Sequence, residues 1–219
     1  MYRILSQQKD FIVVNKGPGL GMHDEAGEAG LTHQGLVSRV RADTGLELYP
    51  VHRLDKMTSG LLLLARTPEA NRALSMAFAE RRVSKQYLAL SDRKPKKKQG
   101  WVKGDMQKGR GGSWMLARSQ DNPAISWFDS ASVREGLRLY RIKPQTGKTH
   151  QIRVALKSIG APILGDERYG GTAADRGYLH AWRLSFSLGE EAYDFVCQPD
   201  EGQWFMLPEL HDTLAGLVP

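Results

Sequence analysis

An unbroken apolar run, Leu61-Leu62-Leu63-Leu64-Ala65, stands directly behind a loop of unlike, reactive side chains, His52-Arg53-Leu54-Asp55-Lys56-Met57-Thr58-Ser59-Gly60. A short continuous run of this kind predicts a strand buried on both faces. A basic pair, a carboxylate and two hydroxyls add nothing to a core, whereas a loop held by a rigid strand is where chemistry tends to sit. The stretch is therefore a candidate site. The alternative is structural, with Asp55 closing the turn by accepting bonds from the amides near Met57 or Thr58.

A chain of 219 residues can bury a full core, as one large domain or as two tightly joined halves. No apolar run approaches the ~20 residues of a membrane span. The start, Met1-Tyr2-Arg3-Ile4-Leu5-Ser6, lacks a charged region followed by an apolar one, so no signal peptide is expected. Cys197 is the one cysteine and can form no internal disulfide. A cytoplasmic, soluble protein is the expectation.

The net charge of +7 is unevenly spread. Arg93, Lys94, Lys96, Lys97, Lys98, Lys103, Lys108 and Arg110 face a single acid, Asp105, so residues 93–110 carry the whole excess. The segment reads either as a solvated, mobile loop or as a phosphate-binding arm, with Lys94, Lys96, Lys97 and Lys98 as its contacts.

Tyr2 to Ser6 and Phe11 to Asn15 read as strands, followed by a turn at Lys16-Gly17-Pro18-Gly19. Leu31 to Ala42 reads as a helix, and His23 and His33 as surface residues. Thr67 and Pro68 supply an N-cap and a first-turn proline for a second helix ending near Arg81-Arg82. Val83 to Leu90 is a strand with Lys85, Tyr87 and Ala89 on one face. Trp101 to Gln107, Trp114 to Arg118, Ile125 to Val133 and Leu137 to Lys143 follow as strands whose short turns favour antiparallel pairing, with Lys108-Gly109-Arg110-Gly111-Gly112 as a turn. Gly147 to Ile159 reads as a helix on which Thr149, His150, Arg153 and Lys157 make a cationic stripe facing a carboxylate or phosphate. A hairpin of Leu179 to Leu188 and Ala192 to Gln198, then a helix over Leu210 to Leu217, complete a single domain of residues 1–219.

His52 to Ala65 resembles the HRLD-x-x-TSG-LLLLA signature of the RluA-type pseudouridine synthases. Lys143 to Arg153, Gly160 to Gly170 and Leu179-His180-Ala181 are similar to further motifs of that family, in the expected order. Gly17 departs from the pattern, where the family usually has a second proline. The resemblance implies an α/β fold: a mixed, largely antiparallel sheet in two halves with flanking helices and a central catalytic cleft carrying Asp55. Many members carry a small RNA-binding domain ahead of the catalytic one, and a chain that starts at the first catalytic strand is expected to lack it.

What the resemblance implies chemically is an RNA pseudouridine synthase acting on a structured ribosomal or transfer RNA. The reaction breaks an N-glycosidic bond, turns the uracil and rejoins it through carbon, so no cofactor is expected. Asp55 is the implied catalytic carboxylate, as nucleophile or as a base leading to a glycal. Tyr87 is the implied stacking face for the uracil. Arg153 is assigned to grip Asp55, since a bidentate guanidinium keeps a carboxylate ionised. Arg53 is implied to fill the gap left by the flipped base, with His52 supporting the nucleotide backbone. His52, His150 and His180 lack metal spacing, and Ser59 lacks a nucleophile-elbow setting. The runner-up is an RNA-binding or RNA-folding module without turnover. The implied partner is a structured, uridine-containing RNA, with no membrane and no small-molecule cofactor, and a monomer is expected.

Overall fold

The computed structural model describes residues 1–27 and 32–217. Along the chain come β1 (Tyr2–Gln7), β2 (Phe11–Lys16), β3 (Glu25–Ala26), β4 (Thr32–His33), α1 (Leu36–Thr44), β5 (Tyr49–Pro50), β6 (Ser59–Ala65) and α2 (Pro68–Ala79). Then follow β7 (Ser84–Ser91), β8 (Gly100–Gly104), β9 (Met106–Lys108), β10 (Trp114–Leu116), β11 (Ala124–Arg134), β12 (Leu137–Pro144) and α3 (Gln151–Ser158). β13 (Leu179–Leu188), β14 (Glu191–Val196) and α4 (Pro208–Leu217) complete the series. The fold is α/β, with mixed, mostly antiparallel sheet and four helices among the described residues.

The chain divides into two compact units, one of residues 1–84 and 181–198, the other of residues 85–180 and 199–219. In the first unit the strand order is β1-β2-β6-β13, with β14 paired to β13 and β5 to β6. β6 is buried along its whole length, as its apolar run requires, and so is the neighbouring β2. Gly60 at the head of β6 has a left-handed φ of 103°, and a Cβ there would lie 2.2 Å from the carbonyl oxygen of Ala181. Only glycine allows β13 to approach so closely. α2 begins as its sequence predicts, Thr67 Oγ1 accepting from the amide of Ala70 at 3.1 Å ahead of Pro68.

In the second unit the order is β7-β12-β11-β8, antiparallel throughout by register. β9 and β10 form a separate hairpin across the glycine-rich turn. The face bearing Phe128, Tyr140 and Ile142 is buried. α3 supplies Ile152, Val154, Ala155 and Leu156 to the core.

Two helices begin later than their periodicity predicts. The expected start at Leu31 lies outside the described residues, and Thr32–His33 pairs with Glu25–Ala26 as a strand before α1 begins at Leu36. The Gly35 amide is held by Asp24 Oδ1 at 2.8 Å, and a Cβ at Gly35 would lie 2.3 Å from the His23 backbone. α3 starts at Gln151, not Gly147, because the Gln151 side chain folds back on the entry loop. Its Oε1 accepts from Thr146 Oγ1 at 2.7 Å and from the Lys148 amide at 3.0 Å, and His150 takes a left-handed φ of 56°. A side chain bonding backbone in this way competes with helix formation.

Candidate active site

The loop ahead of β6 belongs to the first unit. Its turn is closed by the backbone, the Thr58 amide donating to the Asp55 carbonyl at 3.0 Å. Asp55 itself is half-buried, Leu54 beside it is buried and Arg53 is exposed. His52 faces the protein. Its ring stacks on Phe78 at 4.6 Å with planes 18° apart, and its Nε2 accepts from the Leu63 amide at 3.0 Å. That bond places the proton of the neutral ring on Nδ1. His52 thus fastens the loop to β6 and α2.

A second fastener is Lys16, whose importance the sequence did not disclose. It is fully buried, and its Nζ donates to the carbonyls of Gly17 and Leu20 at 2.9 Å each and of Lys56 at 3.2 Å. An ammonium can be buried only when its donors are matched in this way. The Gly19 amide also donates to the Lys56 carbonyl, at 2.8 Å, so the Lys-Gly-Pro-Gly turn and the Asp55 loop form one piece. A lysine ending a strand that opens on four apolar residues, Phe11 to Val14, was the available signal.

In the second unit, Tyr87 is half-buried on β7 opposite Ile142. Lys85 shares its face, and burial pushes the Lys85 ammonium below the usual lysine range. Arg153 is buried on α3 and carries a bidentate pair with Asp166, Nε to Oδ2 at 2.7 Å and Nη2 to Oδ1 at 2.8 Å. Its guanidinium lies 4.8 Å from the centre of the Tyr169 ring, and Lys157 Nζ lies 5.6 Å from the same ring. Tyr169 Oη accepts from the Trp114 amide at 3.0 Å and lies 2.7 Å from His150 Nδ1. The cationic stripe therefore does face a carboxylate, and it is Asp166. Sequence reasoning named the surrounding motif but gave this residue no part. His180 is wholly buried against Phe205.

The segment of Lys94, Lys96, Lys97 and Lys98 is exposed yet anchored. The Lys96 amide donates to the Ile159 carbonyl at 2.8 Å, and Ser130 Oγ donates to the Lys98 carbonyl at 2.6 Å. These bonds fix the loop backbone against α3 and β11, while Lys97 Nζ turns in to the carbonyl of Trp101.

With this geometry in hand, the comparisons with known proteins agree on one family. Residues 10–158 match the family described as RNA pseudouridylate synthase. A Haemophilus influenzae protein named as an uncharacterized RNA pseudouridine synthase is 46% identical over 213 residues, which cover 96% of this chain and 93% of that one. A Rickettsia bellii protein named ribosomal large subunit pseudouridine synthase C is 34% identical over 171 residues, 76% of this chain and 56% of that one. The solved structure of human RNA pseudouridylate synthase domain containing 1 superposes with a TM-score of 0.76 at 26% identity, over 96% of this chain and 86% of that one. The chain belongs to the RNA pseudouridylate synthase family. It is an RNA pseudouridine synthase, an isomerase that converts uridine to pseudouridine within RNA.

Proposed function

We propose that this synthase acts on a structured ribosomal RNA, as the name of the Rickettsia bellii relative has it for that protein, with residues 1–219 serving as one catalytic domain. The carboxylate of Asp55 acts at the anomeric region of the target uridine. The observation that carries this assignment is the place of Asp55, half-buried in a turn that the backbone closes through the Asp55 carbonyl and the Thr58 amide, directly ahead of the wholly buried strand β6. Tyr87 gives the detached uracil a ring to stack on, an interaction worth ~1–3 kcal/mol.

Arg153 is the cation assigned to Asp55. Asp166 occupies its Nε and Nη2 edge, and a guanidinium has five donors in a fixed fork, so one carboxylate does not exhaust it. Arg53, exposed on the loop, takes the place of the flipped base, and His52 supports the nucleotide by holding that loop in shape. Lys94, Lys96, Lys97 and Lys98 contact phosphate. The protein works as a cytoplasmic monomer on RNA without a cofactor. No helix among the described residues is long and apolar enough to cross a membrane.

The test is complementation. Chemical labelling of pseudouridine across ribosomal RNA from a strain lacking the gene identifies the missing site. Wild type restores it, and Asp55→Asn leaves it unmodified while binding the same RNA with unchanged affinity. Restoration by the asparagine variant removes Asp55 from the chemistry, and loss at a site outside ribosomal RNA refutes the substrate assignment.

A further inference from the structure

Strands β8, β11 and β12 carry an aromatic and cationic face that the catalytic assignment does not use. In the register of these strands Trp127 lies opposite Trp101 on one side and Lys143 on the other, and Ile125 lies opposite Lys103. Residues directly opposite in an antiparallel ladder project from the same face, as do residues two apart on one strand. Trp101, Lys103, Trp127 and Lys143 therefore share a face, contributed by three separate segments of chain. The other face of these strands, with Val102, Ser126, Phe128 and Ile142, is the buried one.

Trp101 is 44% exposed on β8, the terminal strand of this unit. Lys103 Nζ lies 5.1 Å from the centre of the Trp101 ring, and Lys143 Nζ lies 5.4 Å from that of Trp127. Each indole thus has a cation beside it. The acid on the same face, Asp129, is held by Arg141 in a bidentate pair, Nε to Oδ1 at 3.1 Å and Nη2 to Oδ2 at 2.5 Å, which cancels its repulsion of an anion. The basic segment leads into β8 at the edge of this sheet. Lys97 Nζ donates to the carbonyl of Trp101 and lies 5.8 Å from the Phe128 ring of the opposite face, and the Lys98 carbonyl accepts from Ser130 of that same opposite face.

We propose that this face binds single-stranded RNA, with bases stacking on Trp101 and Trp127 and phosphates meeting Lys103 and Lys143. The proposal rests on the reading of the protein as an RNA enzyme and extends it to the form of the substrate: unpaired nucleotides flank the target. Unstacked bases are what an aromatic platform can hold, since the rings of a duplex are hidden in its own stack. A protein partner fits less well, because the centres of protein interfaces are depleted in lysine while here a lysine accompanies each indole.

The probe is a fluorescein-labelled 12-nucleotide oligouridylate, with a 12-base-pair RNA duplex for contrast, titrated by anisotropy at several salt concentrations. Trp101→Ala and Trp127→Ala should each weaken oligouridylate binding by roughly 5- to 150-fold, the range expected for one lost stack. The slope of log affinity against log salt should stay the same, and duplex binding should not change. Lys103→Gln with Lys143→Gln should instead flatten the slope by about 1.4, at ~0.7 for each lost single-strand phosphate contact. Trp101→Phe keeps a ring and should retain most of the affinity, which separates stacking from folding. Tryptophan variants that bind oligouridylate like wild type overturn the proposal, as does an equal loss on duplex. The catalytic reading is scored apart: Asp55→Asn should bind oligouridylate normally, and the tryptophan variants should turn over at saturating RNA.

Discussion

Removing the Asp166 carboxylate isolates what the buried pair on α3 contributes. The side chains of Arg153 and Asp166 are only 9% and 2% exposed. Asp166→Ala leaves the local backbone bonds intact, since the Asp166 carbonyl and not its side chain accepts from the amides of Tyr169 and Gly171. It takes the bidentate carboxylate away from a buried guanidinium, at a cost of about 3–5 kcal/mol. For a chain of this size each kcal/mol moves the midpoint by about 2–4 °C, so the variant should melt roughly 6–20 °C below wild type. Restoring apolar packing on both sides, Arg153→Met with Asp166→Leu, should recover most of that loss, because well-packed apolar replacements of buried pairs are often neutral or stabilising. The recovered protein should still form no pseudouridine, since Arg153 is gone. Thermal unfolding followed by circular dichroism gives the first two values and labelling of pseudouridine in RNA the third. A fall of less than about 2 °C in Asp166→Ala would refute the buried-charge argument. Full activity in the double variant would show that Arg153 is a structural cation alone.

Gly60→Ala should destabilise the protein or prevent its folding, because the added methyl would meet the Ala181 carbonyl and φ is 103°; a midpoint within about 2 °C of wild type contradicts the close approach of β6 and β13. Tyr87→Leu should keep the fold and lose turnover, while Tyr87→Phe retains the stacking face, and comparing their single-turnover rates separates ring from hydroxyl. Burial lowers the Lys85 pKa in the folded protein, so the unfolded chain binds more protons as pH rises towards the ordinary lysine value, and folding stability should increase over that interval. Lys85→Met should flatten that rise in urea titrations at successive pH values, and an unchanged profile would assign the rise to another group.

Much of the fold was legible because burial leaves a pattern in one dimension. The apolar runs of β2 and β6 appear as buried strands, β13 spans the range its sequence predicts, and Thr67-Pro68 starts α2. What failed was decided by side chains acting on backbone, as at the delayed start of α3, where periodicity continues upstream but Gln151 holds the entry loop out of the helix. The site divided in the same manner. The Asp55 loop announced itself by composition, whereas the partner of Arg153 lies 13 residues further on, in a motif whose purpose no spacing rule reveals. The tryptophan and lysine face was hidden for another reason: alternation shows which residues share a strand face, but the alignment of three strands fixes which of them become neighbours.

The route of the chain gives β6 a history during synthesis. Its neighbours are β2 and the short β5, both made before it, and β13, which emerges from the ribosome more than a hundred residues later. At roughly 5–20 residues per second, the leucine-rich strand waits on the order of ten seconds with the part of one edge that β13 will cover unmatched, β5 reaching only Leu64 and Ala65 and His52 only the Leu63 amide. Such an edge is a template for pairing with other nascent chains. Slow translation between residues 85 and 180 should therefore lower the yield of soluble protein, and chaperone capture in that interval should raise it, although no residue of the finished enzyme has changed.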